Sequence, residues 1–391
     1  MIYLFALLTL FPLLFYKYLN FILQTGASVL QWVGIDMAPA AFTWLVPLGL
    51  SFYTFQALGY LWDVYRKEIT AEKNLKTYML FVSFFPQILC GPISKASNLL
   101  PQLRTPRPFN YTQGIQGLRY ILWGMFIKLV LADRVGIYTN TIYNNFMSYS
   151  GTSSLLAAIF YSLQIYGDFA GYSYIAIGCA RLLGIDLIIN FRRPYFAQSV
   201  SEFWKRWNIS LTKWLTSYIY IPLGGSRRGK VRTYLNILVT FLVSGIWHGA
   251  NWTFIFWGIL HGIAQIIEKA CGIVKIKSKG FLSFFRILTT FCFVTLAWVY
   301  FRMPDIGDAN NLIYHIFDGG VPYFDSKTIS YSLIAIALVF SAEYLIEFRR
   351  DMYAKIMNNY TIIRWSVYIV LTMFILLFGV LDSSQFIYIK F

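Results

Sequence analysis

The sequence predicts an all-α polytopic membrane protein. Of its 391 residues, 58% are hydrophobic and 19% are aromatic, and only 13% are charged. A soluble domain carries about 25% charged residues, so this chain has too few charges to cover a water-soluble fold. Its apolar runs approach the ~20 residues that one membrane helix needs. Allowing for loops, we expect about 9 to 11 transmembrane or re-entrant helices, all in one domain spanning residues 1–391.

The formal net charge is +16, from 33 Lys and Arg against 17 Asp and Glu. The basic residues cluster in short segments between apolar runs, a distribution that the positive-inside rule explains. Anionic lipid head groups or an anionic cytosolic donor are therefore the expected partners. Nucleic acid is excluded as a partner class, because the chain contains no groove-reading motif. We expect a multi-pass protein of the cytoplasmic (inner) membrane.

The first 23 residues form an apolar run that only Lys17 interrupts. No basic segment precedes this run and no small-residue cleavage site follows it, which predicts a retained membrane helix. We expect a loop over residues 24–39 and a second span over 41–64. The run that follows, over 75–103, is broken by Pro86, Gly91 and Pro92 and predicts a broken or re-entrant helix.

The apolar runs beyond residue 110 predict further spans. These spans cover 114–132, 153–185, 233–246, 251–267, 282–301, 328–346 and 363–381.

Residues 200–222 predict one amphipathic helix, with Trp204, Trp207 and Trp214 on or near one face. An interfacial helix with an aromatic belt and snorkelling bases explains this pattern. It does not explain Asn208, a polar residue within the same stretch.

His248 lies in an apolar run, where an ionisable residue is costly and indicates a functional site. A neutral imidazole can accept the proton of an alcohol that attacks an acyl carbonyl. The alternative is a buried structural histidine. His261 would lie off the face of His248 if residues 233–262 formed one helix, and His315 lies in a loop-like stretch, so we expect structural roles for both.

Asp168 is an intramembrane carboxylate, for which pairing with a neighbouring base is the first interpretation and chemistry or substrate contact the second. The glycine-rich basic segment 223–230 could hold a phosphate through its N–H groups, but a plain cytosolic loop explains it equally well. We expect no metal site, because the three histidines lack ligand spacing. The four cysteines are expected to be small buried hydrophobes.

Five motifs together make the chain resemble the membrane-bound O-acyltransferase family, in particular its bacterial alginate O-acetyltransferase branch. They are SFYTFQALGYLWDVYR (51–66), FVSFFPQILCGPI (81–93), QIYGDFAGYSYIAIG (164–178), SEFWKRWNISLTKWLTSYIYIPLGG (201–225) and SGIWHGANWTFIFWGILHG (244–262). The resemblance implies a multi-helix shell around a pore, with an activated acyl group entering from the cytosol and an acceptor hydroxyl from the other side.

The resemblance also implies roles for individual residues. His248 matches the family's catalytic histidine, and Asn208 its second active-site position, which is usually histidine in this branch. An amide at Asn208 argues against a second base but can still orient a carbonyl or hydroxyl. Tyr174 stands where the branch commonly has Asp, and the N-terminus is expected to be short relative to the family. Trp204, Arg206, Trp247 and Asp168 are further candidates, for a substrate channel or for structure.

The implied function is O-acetylation of a cell-envelope or secreted polysaccharide, with acetyl-CoA as donor and no bound cofactor. The resemblance further implies a secreted or periplasmic SGNH-type acetyltransferase as partner. The aromatic tail 386–391 makes Tyr388 a candidate acyl relay, or alternatively an interfacial anchor. Two other functions remain open: transfer of D-alanyl or another acyl group from a carrier protein, and a transporter or flippase without chemistry.

Overall fold

The computed structural model describes residues 2–39, 41–44, 46–276 and 278–381. Within these ranges every regular element is helical, as the sequence predicts. Four helical segments are long and apolar enough to cross a membrane: Ile2–Trp32, Gly280–Arg302, Ser326–Phe348 and Thr361–Phe378. The chain is an all-α polytopic membrane protein. The predicted total of 9 to 11 membrane helices and the single domain stay predictions.

The N-terminal rod consists of α1 (Ile2–Leu13), a π-helical turn (Leu14–Tyr18) and α2 (Leu19–Trp32). The loop predicted over 24–39 is wrong in its first part, because the helix continues to Trp32. The predicted span over 41–64 is wrong in its first part, since α3 begins only at Leu50 and ends at Tyr65. Gly49, just before α3, has a φ of 74°. A Cβ there would also lie 2.4 Å from the Ile88 carbonyl oxygen.

The predicted broken helix is confirmed as α4 (Leu75–Val82) and α5 (Ala96–Arg104). Gln56 of α3 stabilises the non-helical connection between them. Its amide donates to the Phe81 carbonyl at 2.6 Å and accepts from Gln87 at 2.8 Å, and Gln87 accepts from Ser94 at 2.9 Å. All three polar side chains are buried, so this network supplies the hydrogen bonds that a buried break in a helix requires.

The centre of the fold pairs two long helical segments. The first is α6 (Tyr111–Met125), a π-helical segment (Phe126–Ala132) and α7 (Asp133–Tyr143); the second is α8 (Gly151–Leu182). Glycines let their backbones approach closely. A Cβ on Gly124 would lie 2.6 Å from the Gly171 carbonyl oxygen, which is the small-residue packing expected between membrane helices.

Two short helices follow, α9 (Val200–Arg206) and α10 (Ile209–Leu215), and a π-helical turn (Thr216–Tyr220) ends this segment. The single helix predicted over 200–222 is therefore wrong, because the chain bends at Trp207 and Asn208.

The remaining helices are α11 (Gly229–His248), α12 (Trp252–Ala270), α13 (Gly280–Arg302), α14 (Ile306–His315), α15 (Ser326–Phe348), α16 (Arg350–Asn359) and α17 (Thr361–Phe378). Helices α11 and α12 form an antiparallel hairpin. Gly245 and Gly258 allow close contact within it, since an added Cβ would lie 2.3 Å and 2.4 Å from carbonyl oxygens of the opposite helix. The predicted spans over 282–301, 328–346 and 363–381 are confirmed as helices.

A buried charge cluster joins the π-helical segment to α8. The Lys128 ammonium donates to Asp133 at 2.5 Å and also contacts Asp168, and all three side chains are at most 8% exposed. Removing one member of a buried ion pair costs more than the pair contributes, because the remaining charge stays desolvated.

We therefore expect Lys128→Met to lower the melting temperature of the detergent-purified protein markedly, at a cost on the order of 3–5 kcal/mol. The triple variant Lys128→Met, Asp133→Asn, Asp168→Asn removes all three charges and should recover most of the loss. Equal melting temperatures for wild type and Lys128→Met would show that the cluster is not structural.

Candidate active site

Asn208 lies at the bend between α9 and α10. Its φ is +41°, in the left-handed region that Asn tolerates better than most residues. Asn190 holds the start of α10, since its backbone carbonyl accepts from Ile209 N and its side-chain oxygen accepts from Ser210 N, both at 2.9 Å. The bend directs the chain so that Asn208 is only 1% exposed.

The Asn208 amide makes no hydrogen bond to any of the described residues, through either its oxygen or its nitrogen. An unpaired buried amide costs about 1–3 kcal/mol for each unsatisfied group. Such a cost is offset where a ligand, a reacting group or an ordered water completes the hydrogen bonds. The geometry thus favours a functional amide over a purely structural one.

The tryptophans around Asn208 are not an interfacial belt, and that prediction is wrong. Trp204, Trp207 and Trp214 are at most 7% exposed. Because the helix breaks after Trp207, these rings pack inward instead of lying along one outer face. Trp214 stacks on Phe55 with ring centroids 3.9 Å apart.

His248 is the last residue of α11 and is 7% exposed. Its ring is surrounded by aromatic rings, with centroids 4.8 Å from Trp247, 5.1 Å from Trp257 and 5.1 Å from Phe301. Gly249 follows, and a Cβ at this position would lie 2.1 Å from the Phe254 ring. The chain therefore turns into α12 with no room for a side chain directly after the histidine.

A set of four buried tryptophans links the two candidate residues; we call Trp204, Trp207, Trp257 and Trp298 the tryptophan cluster. Trp257 contacts His248 and stacks on Trp298 at 5.6 Å. Trp298 contacts Trp207, the residue before Asn208, at 5.1 Å. His248 thus packs directly on the cluster, and Asn208 directly follows the cluster's Trp207 in the chain.

His261 enters the same region from α12. Its Nδ1 accepts a hydrogen bond from Trp204 Nε1 at 3.2 Å, and its ring lies 5.0 Å from Trp257. The angular separation from His248 that one continuous helix would give does not apply. Helix α11 ends at His248, and α12 runs back antiparallel to it. His261 fixes the orientation of Trp204, which agrees with the structural role expected for it.

Two residues of the N-terminal rod hold the end of α11, and sequence reasoning missed both. Lys17 Nζ donates to the His248 carbonyl at 2.9 Å and to the Trp247 carbonyl at 3.2 Å. The Tyr18 hydroxyl donates to the Ile246 carbonyl at 2.5 Å. The last carbonyls of a helix have no intrahelical donor, and a cation there also complements the helix dipole. The sequence contained one signal for this contact, because Lys17 interrupts an otherwise apolar run.

The other candidates have structural contacts. Trp247 donates to the Ser51 carbonyl at 3.4 Å and stacks on Phe55. Arg206 pairs with Glu202 at 2.6 Å and with Glu347 of α15 at 2.8 Å, which ties α9 to α15.

Asp168 contacts Lys128, the kind of pairing expected for an intramembrane carboxylate. Tyr388 lies outside the described residues. Within the part of the chain that the structure describes, no three His, Cys, Asp or Glu side chains are grouped as a metal site.

Comparison with known proteins adds the family. Residues 66–306, which contain both Asn208 and His248, match the model of the membrane-bound O-acyltransferase family. The chain belongs to this family. Lys17 and Tyr18 lie outside the matched range.

Three curated relatives illustrate the range of similarity. A protein named probable alginate O-acetylase AlgI from Pseudomonas syringae pv. tomato is 37% identical over 307 residues, covering 78% of this chain and 58% of the relative. A peptidoglycan O-acetyltransferase from Helicobacter pylori is 36% identical, covering 68% of this chain and 55% of the relative. A teichoic acid D-alanyltransferase from Streptococcus thermophilus is 31% identical, covering 57% of each. The chain thus spans little more than half the length of these relatives.

We expect Lys17→Met to lower acyl transfer about tenfold while the protein still accumulates, because the last carbonyls of α11 lose a charged donor. Tyr18→Phe should have a smaller effect of the same kind. Ser28→Ala, an exposed change on the same rod, is the matched control. Turnover by purified Lys17→Met equal to that of the control would contradict a positioning role.

Asn208→Gly should leave the melting temperature unchanged or raise it, since it removes a buried unpaired amide and glycine accepts a positive φ freely. The rate of acyl transfer by Asn208→Gly should nevertheless fall at least about tenfold. Thermal unfolding and transfer are measured on the same preparation. A variant that is less stable and equally active would mean that the amide serves the fold.

Proposed function

We propose that the chain is a membrane O-acyltransferase that transfers an acetyl group from the thioester acetyl-CoA to a hydroxyl destined for a cell-envelope or secreted polysaccharide. One observation carries the proposal: a buried histidine packs on the tryptophan cluster, and an unpaired buried amide directly follows a member of that cluster in the chain, both inside the range that matches the family. Two acetyl-transferring relatives at 36–37% identity support acetyl as the acyl group.

The two side chains suit the two demands of the reaction. The acceptor oxygen attacks the thioester carbonyl carbon while His248 takes the hydroxyl proton as general base. The Asn208 amide nitrogen can donate a hydrogen bond to the oxyanion that forms. When the carbon–sulfur bond breaks, the imidazolium returns the proton to the departing thiolate. Ester and thiol result, and atoms and charge balance without a bound cofactor.

The proposed donor side follows from charge. Lysines and arginines cluster around the start of α11 and the end of α12, in 227–232 and 269–279. By the positive-inside rule these ends face the cytosol, where they can attract the phosphates of a nucleotide thioester as well as anionic lipids. Since α11 has 20 residues, His248 lies about 30 Å from that face. The acceptor would approach from the opposite face of the inner membrane.

A secreted or periplasmic SGNH-type acetyltransferase is the partner we propose for final delivery to the polysaccharide, with Tyr388 as candidate acyl relay. Transfer of D-alanyl from a carrier protein is the second candidate function, because a teichoic acid D-alanyltransferase is 31% identical. The two differ in the donor that supports turnover.

We expect His248→Ala to lower thiol release from acetyl-CoA by at least ~100-fold, the range a general base contributes. The protein should still insert and accumulate. Thr240→Ala on the same helix is the control, since its hydroxyl donates to the Asn236 carbonyl of its own helix.

The assay uses purified protein, acetyl-CoA and an aminoacyl thioester in parallel. Wild-type turnover of the aminoacyl thioester alone would favour the second function. Absence of any thiol release from wild type would favour a transporter, and full activity in His248→Ala would refute the mechanism.

A further inference from the structure

A cleft of about 390 Å³ opens where α13 ends. It lies between the end of α7, the loop that follows it, the end of α13 and the start of α14. Tyr143, Asn144, Asn145, Arg302 and Asp308 are among its lining residues. The volume falls within the range of small-molecule sites, which combine apolar walls with a few placed polar groups.

The cleft is joined to the residues around His248 by two contacts. Phe301, next to Arg302, packs on the His248 ring at 5.1 Å. Asn251, in the turn after His248, donates to the carbonyl of Pro304, which lines the cleft, at 2.6 Å. A ligand in the cleft therefore lies against the segment that carries the candidate base.

Rigid contacts hold the walls in place. The Tyr300 hydroxyl donates to Asn310 at 2.7 Å, which fixes α14 against α13. His315, at the end of α14, lies 2.8 Å from the Tyr149 carbonyl and 2.7 Å from Asp318. A preformed site loses less entropy on binding than a mobile one.

The charges in the cleft define its ligand. Arg302 donates to Asn140 at 3.3 Å through one nitrogen, and its guanidinium lies 5.8 Å from the Tyr143 ring. Among the described residues, neither Arg302 nor Asp308 has an oppositely charged group within 4.0 Å. Arg302 would repel a cation and Asp308 an anion.

A neutral group that both donates and accepts hydrogen bonds satisfies both charges, because hydroxyls do both. The exposed amides of Asn144 and Asn145 extend the same polar edge, and the rings of Tyr143 and Phe146 offer apolar walls. A sugar ring, with hydroxyls at its rim and C–H groups on its faces, combines these properties.

We propose that this cleft binds an uncharged sugar unit, with Arg302 and Asp308 bridged by its hydroxyls. Its assignment to the acceptor glycan rests on the proposed function, whereas sugar binding itself does not. The cleft also lies at the end of α13 opposite the basic segment 269–279, which is the side from which the acceptor would come.

The test measures direct binding of three hexasaccharides to the full-length protein in detergent by saturation-transfer NMR and calorimetry. Two probes are uncharged, one of them unsubstituted and the other N-acetylated. The third probe is carboxylated and therefore anionic. Wild type should bind the two uncharged probes. Arg302→Gln and Asp308→Asn should each weaken that binding about tenfold, because each removes a hydrogen bond to a charged group.

His248→Ala should bind as wild type does, and Arg350→Gln, an exposed arginine outside the cleft, is the matched control. Equal melting temperatures for all variants exclude misfolding; if a single variant unfolds, the other decides. Absence of binding by wild type, unchanged binding in both cleft variants, or binding of the carboxylated probe alone would overturn the proposal. The sugar-site proposal would also be overturned if Arg302→Gln left sugar binding intact but weakened binding of a partner protein.

The result also separates this proposal from the proposed function. Sugar binding that is lost in the cleft variants, together with no thiol release by wild type, would keep the cleft and refute the transfer reaction. Thiol release by wild type without sugar binding would keep the transfer reaction and refute the cleft as a sugar site.

Discussion

Helix α11 ends inside the molecule, and the surrounding fold depends on supplying hydrogen-bond donors to its last carbonyl groups. A helix end leaves carbonyls without donors, and leaving them unpaired away from water is costly. Lys17 and Tyr18 supply the donors from the N-terminal rod. The rod, the hairpin of α11 and α12, and the position of His248 are thereby coupled through three carbonyl groups.

The second constraint is the space that aromatic rings occupy. The tryptophan cluster fills the volume between α9, α12 and α13, and His261 orients one of its rings by accepting from Trp204. Glycines at the closest backbone approaches of the hairpin make this packing feasible. The His248 ring is thereby held in an apolar, aromatic setting, and a neutral imidazole is what the proposed base requires.

Charge is placed unevenly in this molecule. Lys128 pairs with both Asp133 and Asp168 in the core, and Arg206 with Glu347 joins two helices near one end. Arg302 and Asp308, in contrast, share a cleft without pairing within 4.0 Å among the described residues. This difference separates charges that stabilise the fold from charges available to a ligand.

The sequence by itself determined the fold class, the broken helix over 75–103, the later spans and the family, because apolar runs, prolines and motif residues are local signals. It also made His248 a candidate, because an ionisable residue in an apolar run is anomalous wherever the chain folds. Only the tertiary structure decided that α9 and α10 are separate, since amphipathic spacing continues across Asn208 while the left-handed backbone there ends the helix. Only the tertiary structure showed the inward-facing tryptophans, the contacts of Lys17 and the cleft at Arg302, because each of these features brings together residues that are far apart in sequence.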